Sequence, residues 1–245
     1  MKNLFVLTLV ILTIALATSC NKNKNEDPQP DILYNISGSV NLYDEGVTQV
    51  DSDGMTVSIV DANPAKTSTT DVEGKFSLEE VEKGTYDLVF EKSGYGTYKV
   101  FGVDHNMDEP TFLTNTPSLG QKSTTSIKAI QIFSAIDEVT ISATLDQDAS
   151  IGNPRYIRVL FSSESNISPE NYDAFSGVLQ REINPAEIAY SKQDLLDLGF
   201  TSGQTVYVNV AGDSFWSNEY EDPQLERTVF PNILWKETAV SFVVP

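Results

Sequence analysis

Apolar and polar residues alternate along most of the chain after residue 32, in short runs bounded by Gly, Asn, Asp and Pro. Met55, Val57 and Ile59 alternate with Thr56 and Ser58. Successive side chains of a strand point to opposite faces, so such runs predict antiparallel strands with one buried face. The same spacing recurs over residues 86–90, 139–145, 157–161 and 206–210.

Only residues 191–198 favour a helix. Ser191 is a suitable N-cap, Asp194 falls in the first turn, and Gly199 stands where a helix would end. Many short strands with turn residues between them predict an all-β fold of two tandem β-sandwiches. We expect residues 33–118 to form the first sandwich and residues 119–245 the second, meeting near residues 117–122.

The N-terminus has the pattern of a secretory signal. Lys2 is the only charged residue before Cys20, and residues 4–17 are an apolar run. A helix of that length rises about 21 Å, which is short of a bilayer core of about 30 Å. Residues 1–19 are therefore predicted to be a signal peptide that is removed, not a membrane span.

Small residues precede the single cysteine in the string A-T-S-C, which ends at Cys20. This string resembles the lipobox of bacterial lipoproteins of the Bacteroides type, although Leu16 stands one place earlier than usual. The resemblance implies cleavage before Cys20, a lipid on its sulfur, and residence at the outer membrane, on its periplasmic face or at the cell surface. The alternative is a free cysteine behind an ordinary signal peptide. Residues 20–32 are predicted to be a flexible tether.

The net negative charge of the chain disfavours two classes of partner, nucleic acids and anionic lipid surfaces. The chain has 16 Lys and Arg against 35 Asp and Glu, a formal net charge of −19. Nucleic-acid binding depends on neutralising phosphates with basic side chains, so a nucleic-acid partner is not expected. Attraction to anionic lipid headgroups is not expected either, which leaves the N-terminal lipid to hold the protein at a membrane.

Three sequence pieces in residues 36–101 resemble the carboxypeptidase regulatory-like family. They are I-S-G-S-V-N-L-Y at 36–43, G-M-T-V-S-I-V at 54–60, and T-D-V-E-G-K-F-S-L at 70–78, followed by K-G-T-Y-D-L-V-F at 83–90 and Gly94-Tyr95. Glu82 and Lys83 stand where that family usually has Pro. The resemblance implies a transthyretin-like sandwich in which residues 71–74 form a tight turn, Gly74 has a positive φ, and Phe76 and Tyr86 point inward.

Catalysis is not expected from these residues. In carboxypeptidases the family accompanies a separate zinc peptidase domain with two histidines and a glutamate, whereas this chain has one histidine, His105. We expect His105 to be a solvated loop residue and predict no zinc site, which needs three or four protein ligands. No spare Cys nucleophile, phosphate-cradling glycine loop or G-x-S-x-G motif is present.

No cofactor is predicted, with calcium as a weak alternative. Asp44-Glu45 and D-S-D-G at residues 51–54 form a fragment of an acidic loop. Calcium takes six to eight oxygen ligands, more than this fragment supplies. An acidic turn is the simpler interpretation.

The string F-T-S-G-Q-T-V-Y-V-N-V-A at residues 200–211 resembles the late strand of fibronectin type III and other immunoglobulin-like domains. Ser202 replaces the usual Pro, and Val206 takes the place of the corner tyrosine. The resemblance implies an immunoglobulin-like second sandwich, with an unspecified sandwich as the alternative. Residues 237–245 are predicted to hold the final strand.

The loop of residues 212–223 carries the predicted ligand-binding residues Phe215, Trp216 and Tyr220 among acids and amides. Aromatic rings can stack on the apolar faces of sugars while polar side chains bond the hydroxyls, and loops at sandwich ends commonly carry function. Two alternatives stay open: the rings pack back over the end of the sandwich, or they contact another protein.

These features predict a non-catalytic cell-envelope lipoprotein that acts as an accessory or adhesion module. The alternative is a glycan-binding lipoprotein of a polysaccharide-uptake system, so polysaccharides and other envelope proteins are both candidate partners. A lesser alternative is a fimbrial subunit, which such proteins become after cleavage at an arginine. The first arginine here, Arg155, falls in a predicted strand, which disfavours that role.

Overall fold

The computed structural model describes residues 33–245, and these form twenty β-strands and one short α-helix. The predicted all-β class is confirmed. The predicted signal peptide, the lipidated Cys20 and the tether of residues 20–32 lie outside the described residues. No helix within residues 33–245 has the length and apolar character needed to cross a membrane.

Ten strands of the first half make three sheets. The strands are β1 (Tyr34–Ser39), β2 (Asn41–Tyr43), β3 (Gln49–Val50), β4 (Thr56–Ile59), β5 (Thr67–Thr69), β6 (Lys75–Val81), β7 (Gly84–Glu91), β8 (Tyr98–His105), β9 (Thr111–Phe112) and β10 (Ser118–Gly120). The sheet orders are β6-β1-β9, β10-β2-β3 and β5-β4-β7-β8. Side chains from all three sheets share one hydrophobic cluster, as in a sandwich.

The second half adds ten strands and the helix. They are β11 (Ile127–Ser134), β12 (Glu138–Leu145), β13 (Arg155–Ser162), β14 (Ala174–Phe175), β15 (Leu179–Arg181), β16 (Ala186–Ser191), α1 (Lys192–Asp197), β17 (Thr205–Asp213), β18 (Tyr220–Asp222), β19 (Arg227–Val229) and β20 (Val240–Val243). The orders are β11-β12-β16, β14-β13-β17-β20 with β15 also paired to β13, and the hairpin β18-β19. A second hydrophobic cluster joins the two larger sheets.

The alternating positions of the first half point inward as predicted. Met55, Val57 and Ile59 are buried, and Val57 lies opposite buried Phe90 in the β4–β7 register. The predicted turn also forms, because Gly74 has φ +78° and its N–H donates to Asp71 O at 2.9 Å. A Cβ on Gly74 would lie 1.9 Å from a backbone oxygen, so only glycine fits there.

Two predicted inward side chains of this half differ in burial. Phe76 is buried as predicted, but Tyr86 is only partly buried and its hydroxyl donates to Glu82 O at 2.8 Å. A tyrosine at the edge of a core commonly keeps its hydroxyl near a polar partner.

The predicted helix and final strand of the second half are confirmed. Ser191 caps α1: its Oγ accepts from Asp194 N at 3.1 Å, and Asp194 Oδ2 accepts from Ser191 N at 2.8 Å. Leu195 is buried, and Gly199 follows the helix with φ +97°.

The prediction of one buried face per strand is wrong for β13 and β17. Arg158, Leu160 and Asn209 occupy the predicted polar or outward positions, yet all three are fully buried. A third cluster, built around Leu160, Ile167 and Phe230, covers this outer face of the sheet. The covering chain comes from distant segments, so the alternation of β13 and β17 alone could not indicate it.

The prediction of a solvated loop for His105 is also wrong. His105 ends β8 with 1% exposure, and its two ring nitrogens lie 2.7 Å from Thr111 Oγ1 and 3.3 Å from Val81 O. The polar neighbours in sequence suggested a loop, but both ring nitrogens find partners inside the fold.

The two larger clusters draw their buried residues from 36–119 and from 127–244. Residues 33–245 nevertheless pack as one compact unit. Independent folding of two domains, the boundary near residues 117–122, and the transthyretin-like and immunoglobulin-like assignments stay predictions.

Candidate ligand-binding site

The aromatic loop of residues 212–223 lies against the first sandwich. Phe215 N donates to Glu45 O at 3.0 Å, and Gly120 N is within bonding distance of Trp216 O at 3.1 Å and of Asn218 Oδ1 at 2.8 Å. A Cβ on Gly120 would approach Trp216 O to 2.4 Å, so this close approach of two backbones requires glycine. The loop therefore forms much of the junction between the two sandwiches.

Two buried amides fix this junction. Asn232 Oδ1 accepts from Gly96 N at 2.9 Å, and Asn232 Nδ2 lies 3.0 Å from Gly120 O. Asn218 Nδ2 lies 3.0 Å from the same Gly120 oxygen and 3.1 Å from Asn232 Oδ1. Because buried amides are costly to leave unpaired, this network holds the two halves in one geometry.

Two of the acidic residues considered for calcium, Asp44 and Glu45, are held by hydrogen bonds, and Glu45 bonds across the same junction. Glu45 accepts the hydroxyls of Ser123 at 2.8 Å and Thr124 at 2.6 Å, and Asp44 Oδ1 accepts from Gly46 N at 2.7 Å. Within residues 33–245, no group of three or more His, Cys, Asp and Glu side chains could hold a metal ion. These two carboxylates make structural hydrogen bonds.

Two of the three predicted ligand-binding rings lie together on one side of the junction. The ring centroids of Trp216 and Tyr43 are 4.9 Å apart, and those of Phe215 and Trp216 are 5.2 Å apart. Phe215 is 40% exposed, while Trp216 is half-buried and its Nε1 has no hydrogen-bond partner within residues 33–245. Trp216 thus packs at the junction, and Phe215 keeps part of its ring exposed while its other side contacts Tyr156, at 5.7 Å between centroids.

The third ring, Tyr220, lies at a different place. Its centroid is 6.1 Å from that of Tyr98 and 6.0 Å from that of Phe101, both on β8 of the first sandwich. Together they line a groove of about 410 Å³ between β8 and β18. The structure therefore separates Tyr220 from Phe215 and Trp216, which do not line this groove.

A β-bulge positions Phe101. In the β7–β8 pairing Tyr86 lies opposite Val103 but Leu88 lies opposite Val100, so β8 carries one extra residue at Phe101–Gly102. Gly102 has φ +68° and its N–H donates to Asp87 Oδ1 at 2.8 Å. Bulges re-aim side chains next to binding sites, and here the bulge falls at the ring facing Tyr220.

Polar groups complete the groove between β8 and β18. They are Lys99, Thr114, Asn115, Glu219 and Glu221. Burial raises the pKa of the Tyr98 and Tyr220 hydroxyls above their usual range, so both rings stay neutral at ordinary pH. An apolar concave surface with a few polar groups is the usual form of a small-ligand site.

A buried arginine lies behind the groove. Arg158 Nη2 donates to Glu219 Oε2 at 2.5 Å, its Nη1 donates to Ser176 O at 2.9 Å, and its guanidinium lies 4.4 Å from the centroid of Phe230. Arg158 Nε also donates to Asp213, whose pKa burial raises to about 6. Asp213 is 0% exposed, so its raised pKa does not make it an acid available to a substrate.

The sequence identified Tyr220 but missed Tyr98, Phe101 and Asn115. These residues lie on β8 or just before β10, about a hundred residues earlier in the chain. The aromatic residues of 98–101 were the only local signal, since nothing in sequence spacing indicates that β8 faces β18.

Comparison with known proteins yields no family: no family model and no curated protein matches the chain. Among solved structures, a "putative carbohydrate binding protein" from Bacteroides uniformis ATCC 8492 is 16% identical, with TM-score 0.32, over 88% of this chain and 100% of that one. A DUF3823 family protein from Parabacteroides merdae ATCC 43184 is 10% identical, with TM-score 0.29, over 82% and 96%.

A cohesin–X-dockerin complex from Acetivibrio cellulolyticus is 23% identical, with TM-score 0.30, over 37% of this chain and 59% of that one. All three TM-scores are below 0.5, so none of these likenesses is an argument about function.

Proposed function

We propose that the protein is a non-catalytic binding module of the bacterial cell envelope, anchored by a lipid on Cys20, that holds a glycan in the groove between β8 and β18. The observation that carries the proposal is a set of three rings lining one concave surface, in which the Tyr220 centroid lies 6.1 Å from that of Tyr98 and 6.0 Å from that of Phe101. This proposal combines two roles predicted from the sequence: a cell-envelope accessory or adhesion module, and a glycan-binding lipoprotein.

The chemistry of the groove supports a sugar ligand. Each sugar ring has an apolar C–H face and a rim of hydroxyls, so it fits aromatic rings beside donors and acceptors. Thr114 and Asn115 line the groove, are exposed, and make no side-chain hydrogen bond within residues 33–245. Their hydroxyl and amide are therefore available to a ligand.

Two titratable groups of the fold, His105 and Asp213, are not available to a ligand in the groove. Both ring nitrogens of His105 have partners in the core, and Asp213 is sealed behind the groove. General acid–base catalysis requires hydrogen-bond contact with the reacting group, and neither of these two side chains can make that contact with a ligand in the groove.

The test is binding of the purified full-length protein to a panel of polysaccharides, by affinity electrophoresis and then calorimetry. Tyr220→Ala and Phe101→Ala should each weaken binding about tenfold or more, since a stacked ring contributes on the order of 1–3 kcal/mol. Phe133→Ala is the matched control, because Phe133 is an exposed ring that does not line the groove. Absence of binding to every polysaccharide, or loss of binding in Phe133→Ala alone, would refute the proposal.

A second candidate function is adhesion to another envelope protein through the β11–β12 hairpin. Phe133 is 56% exposed and Ile136 is 89% exposed at this one turn. Neighbouring exposed apolar side chains are typical of protein contacts. The test is cross-linking in cells with Ile136→Asp and with Ile151→Asp, which replaces an equally exposed residue elsewhere. A specific contact at the hairpin predicts loss of cross-linking in Ile136→Asp alone, whereas nonspecific hydrophobic association predicts the same effect in both.

The fimbrial alternative is not proposed. Arg155 begins β13, which lies between β17 and the short strands β14 and β15. Cleavage there would separate β11 and β12 from the later strands with which they share one hydrophobic cluster.

A further inference from the structure

Resting on the proposed function, we infer that the groove takes an uncharged glycan and discriminates against one that carries carboxylate or sulfate groups. The inference comes from the charges around the groove, each of which already has a partner inside the protein. What remains for a ligand is neutral: three rings, two phenolic hydroxyls, the Thr114 hydroxyl and the Asn115 amide.

Among the described residues that line the groove, Lys99 is the only cation, and it already has a partner. Lys99 Nζ lies 3.7 Å from Asp222 Oδ2, and Asp222 has a side chain only 4% exposed. Asp222 Oδ1 accepts from Gln224 N at 3.0 Å and Leu225 N at 3.1 Å, which fixes the carboxylate in place. An anionic sugar that recruited Lys99 would leave Asp222 buried without its cation, and buried unpaired charges are strongly unfavourable.

Lys99 also lies 5.8 Å from the centroid of Phe101. This contact holds the ammonium beside a ring that we assign to sugar stacking. The lysine stem is therefore part of the wall of the groove, and the charge points toward Asp222 and the ring.

The two acids of the groove are occupied in the same way. Glu219 Oε2 accepts from Arg158 Nη2 at 2.5 Å and from Ser217 Oγ at 3.1 Å. Glu221 Oε1 accepts the hydroxyl of Thr228. Two carboxylates therefore line the groove beside one lysine, so the wall disfavours an anionic ligand more than a neutral one.

Four neutral donors and acceptors remain. The hydroxyls of Tyr98 and Tyr220 and the side chains of Thr114 and Asn115 make no hydrogen bond within the described part of the chain. Neutral hydroxyls and amides pair well with sugar hydroxyls, and they do not offset the desolvation of a charged substituent.

The test compares matched glycans on the full-length protein by calorimetry. The probes are homogalacturonan oligosaccharides with free carboxylates and the same oligosaccharides as full methyl esters, together with neutral β-glucan oligosaccharides and their C6-oxidised uronate forms. In each pair that binds, the uncharged form should bind at least about tenfold more tightly. Its affinity should change less than about twofold between 50 and 500 mM NaCl, because no ion pair forms on binding.

Asn115→Ala should weaken binding of the neutral form about tenfold without changing thermal stability, and Asn166→Ala, an exposed asparagine away from the groove, should change neither. Equal or tighter binding of the uronate form, or affinity that falls steeply with salt, would overturn the inference while leaving the glycan function standing. Failure of every glycan, charged and uncharged, would overturn both.

Discussion

Arg158 and Asp213 form a completely buried ion pair in which Arg158 Nε donates to Asp213 Oδ2 at 2.7 Å, with both side chains at 0% exposure. The pair joins β13 to the end of β17, where the loop to the groove begins. Arg158 then reaches Glu219 in that loop. A single buried guanidinium thus connects the core of the second sandwich to the wall of the candidate site.

Replacing this arginine should destabilise the protein strongly. Arg158→Ala leaves the Asp213 carboxylate buried without its cation, and losing one partner of a buried pair costs about 3–5 kcal/mol. Urea unfolding followed by fluorescence measures the loss. Arg155→Ala on the same strand is the control and should cost less than about 1 kcal/mol, because Arg155 bonds an exposed carbonyl. Equal unfolding free energies of the two variants would contradict a stabilising role for the buried Arg158–Asp213 pair.

The same pair predicts a pH dependence. Burial raises the pKa of Asp213 from 3.8 to about 6, so the folded state binds this proton more tightly than the unfolded state. Asp213 then contributes stability that is fully present below pH 3.8 and is lost as the pH rises through about 6. The loss amounts to at most about 3 kcal/mol.

The measurement is the difference in unfolding free energy between the wild type and Asp213→Asn from pH 3.5 to 7. The unfolding free energy of the wild type minus that of Asp213→Asn should fall with rising pH, because only the wild type has a group that titrates at this position. A flat difference, or one that rises, would show that Arg158 holds Asp213 ionised throughout.

The amide network predicts how the two sandwiches hold together. Asn232→Ala leaves Gly96 N without its side-chain partner at a buried junction, at roughly 1–3 kcal/mol for the unpaired group, and leaves Gly120 O with the Asn218 amide as its remaining side-chain partner. We expect limited proteolysis of this variant to cut near residues 117–122 and release stable halves. Asn166→Ala, an exposed substitution, should digest like the wild type. A variant that yields neither half would place the domain boundary elsewhere.

Alanine substitutions at Trp216 and Phe215 should change the unfolding free energy by different amounts, although the two residues are adjacent. Trp216→Ala removes a ring packed on Tyr43 and should lower the unfolding free energy by about 2 kcal/mol or more. Phe215→Ala removes a 40%-exposed ring and should cost less than about 1 kcal/mol. Thermal melting compares them. If Trp216→Ala left the melting temperature unchanged but abolished polysaccharide binding, Trp216 would instead be a ligand contact.

The lipid anchor stays a prediction and has a direct test. Cys20→Ala should block lipid addition and cleavage before residue 20, so the precursor should keep residues 1–19 and run larger on a gel. Mass spectrometry of the native N-terminus should find a diacylated or triacylated cysteine, since two or more chains are needed for stable anchoring. An unmodified Cys20 in the mature protein would contradict it.

Local patterns determined the strands, the helix and the tight turn. The period of two places Met55, Val57 and Ile59 on one face whatever surrounds them, and the steric limits on positive φ single out Gly74. The capping pair of Ser191 and Asp194 is equally local, because both partners lie within one helical turn. The all-β class followed from these short-range rules.

Only the tertiary structure decided what covers each face and which loops meet. Arg158 sits at an outward position of β13 by alternation, but segments far along the chain bury it beneath Phe230. Tyr220 was identified as a candidate ligand contact from its own loop, while its partners Tyr98 and Phe101 come from a strand about 120 residues earlier. Long-range packing depends on the combined shape of many side chains, and no local spacing encodes that shape.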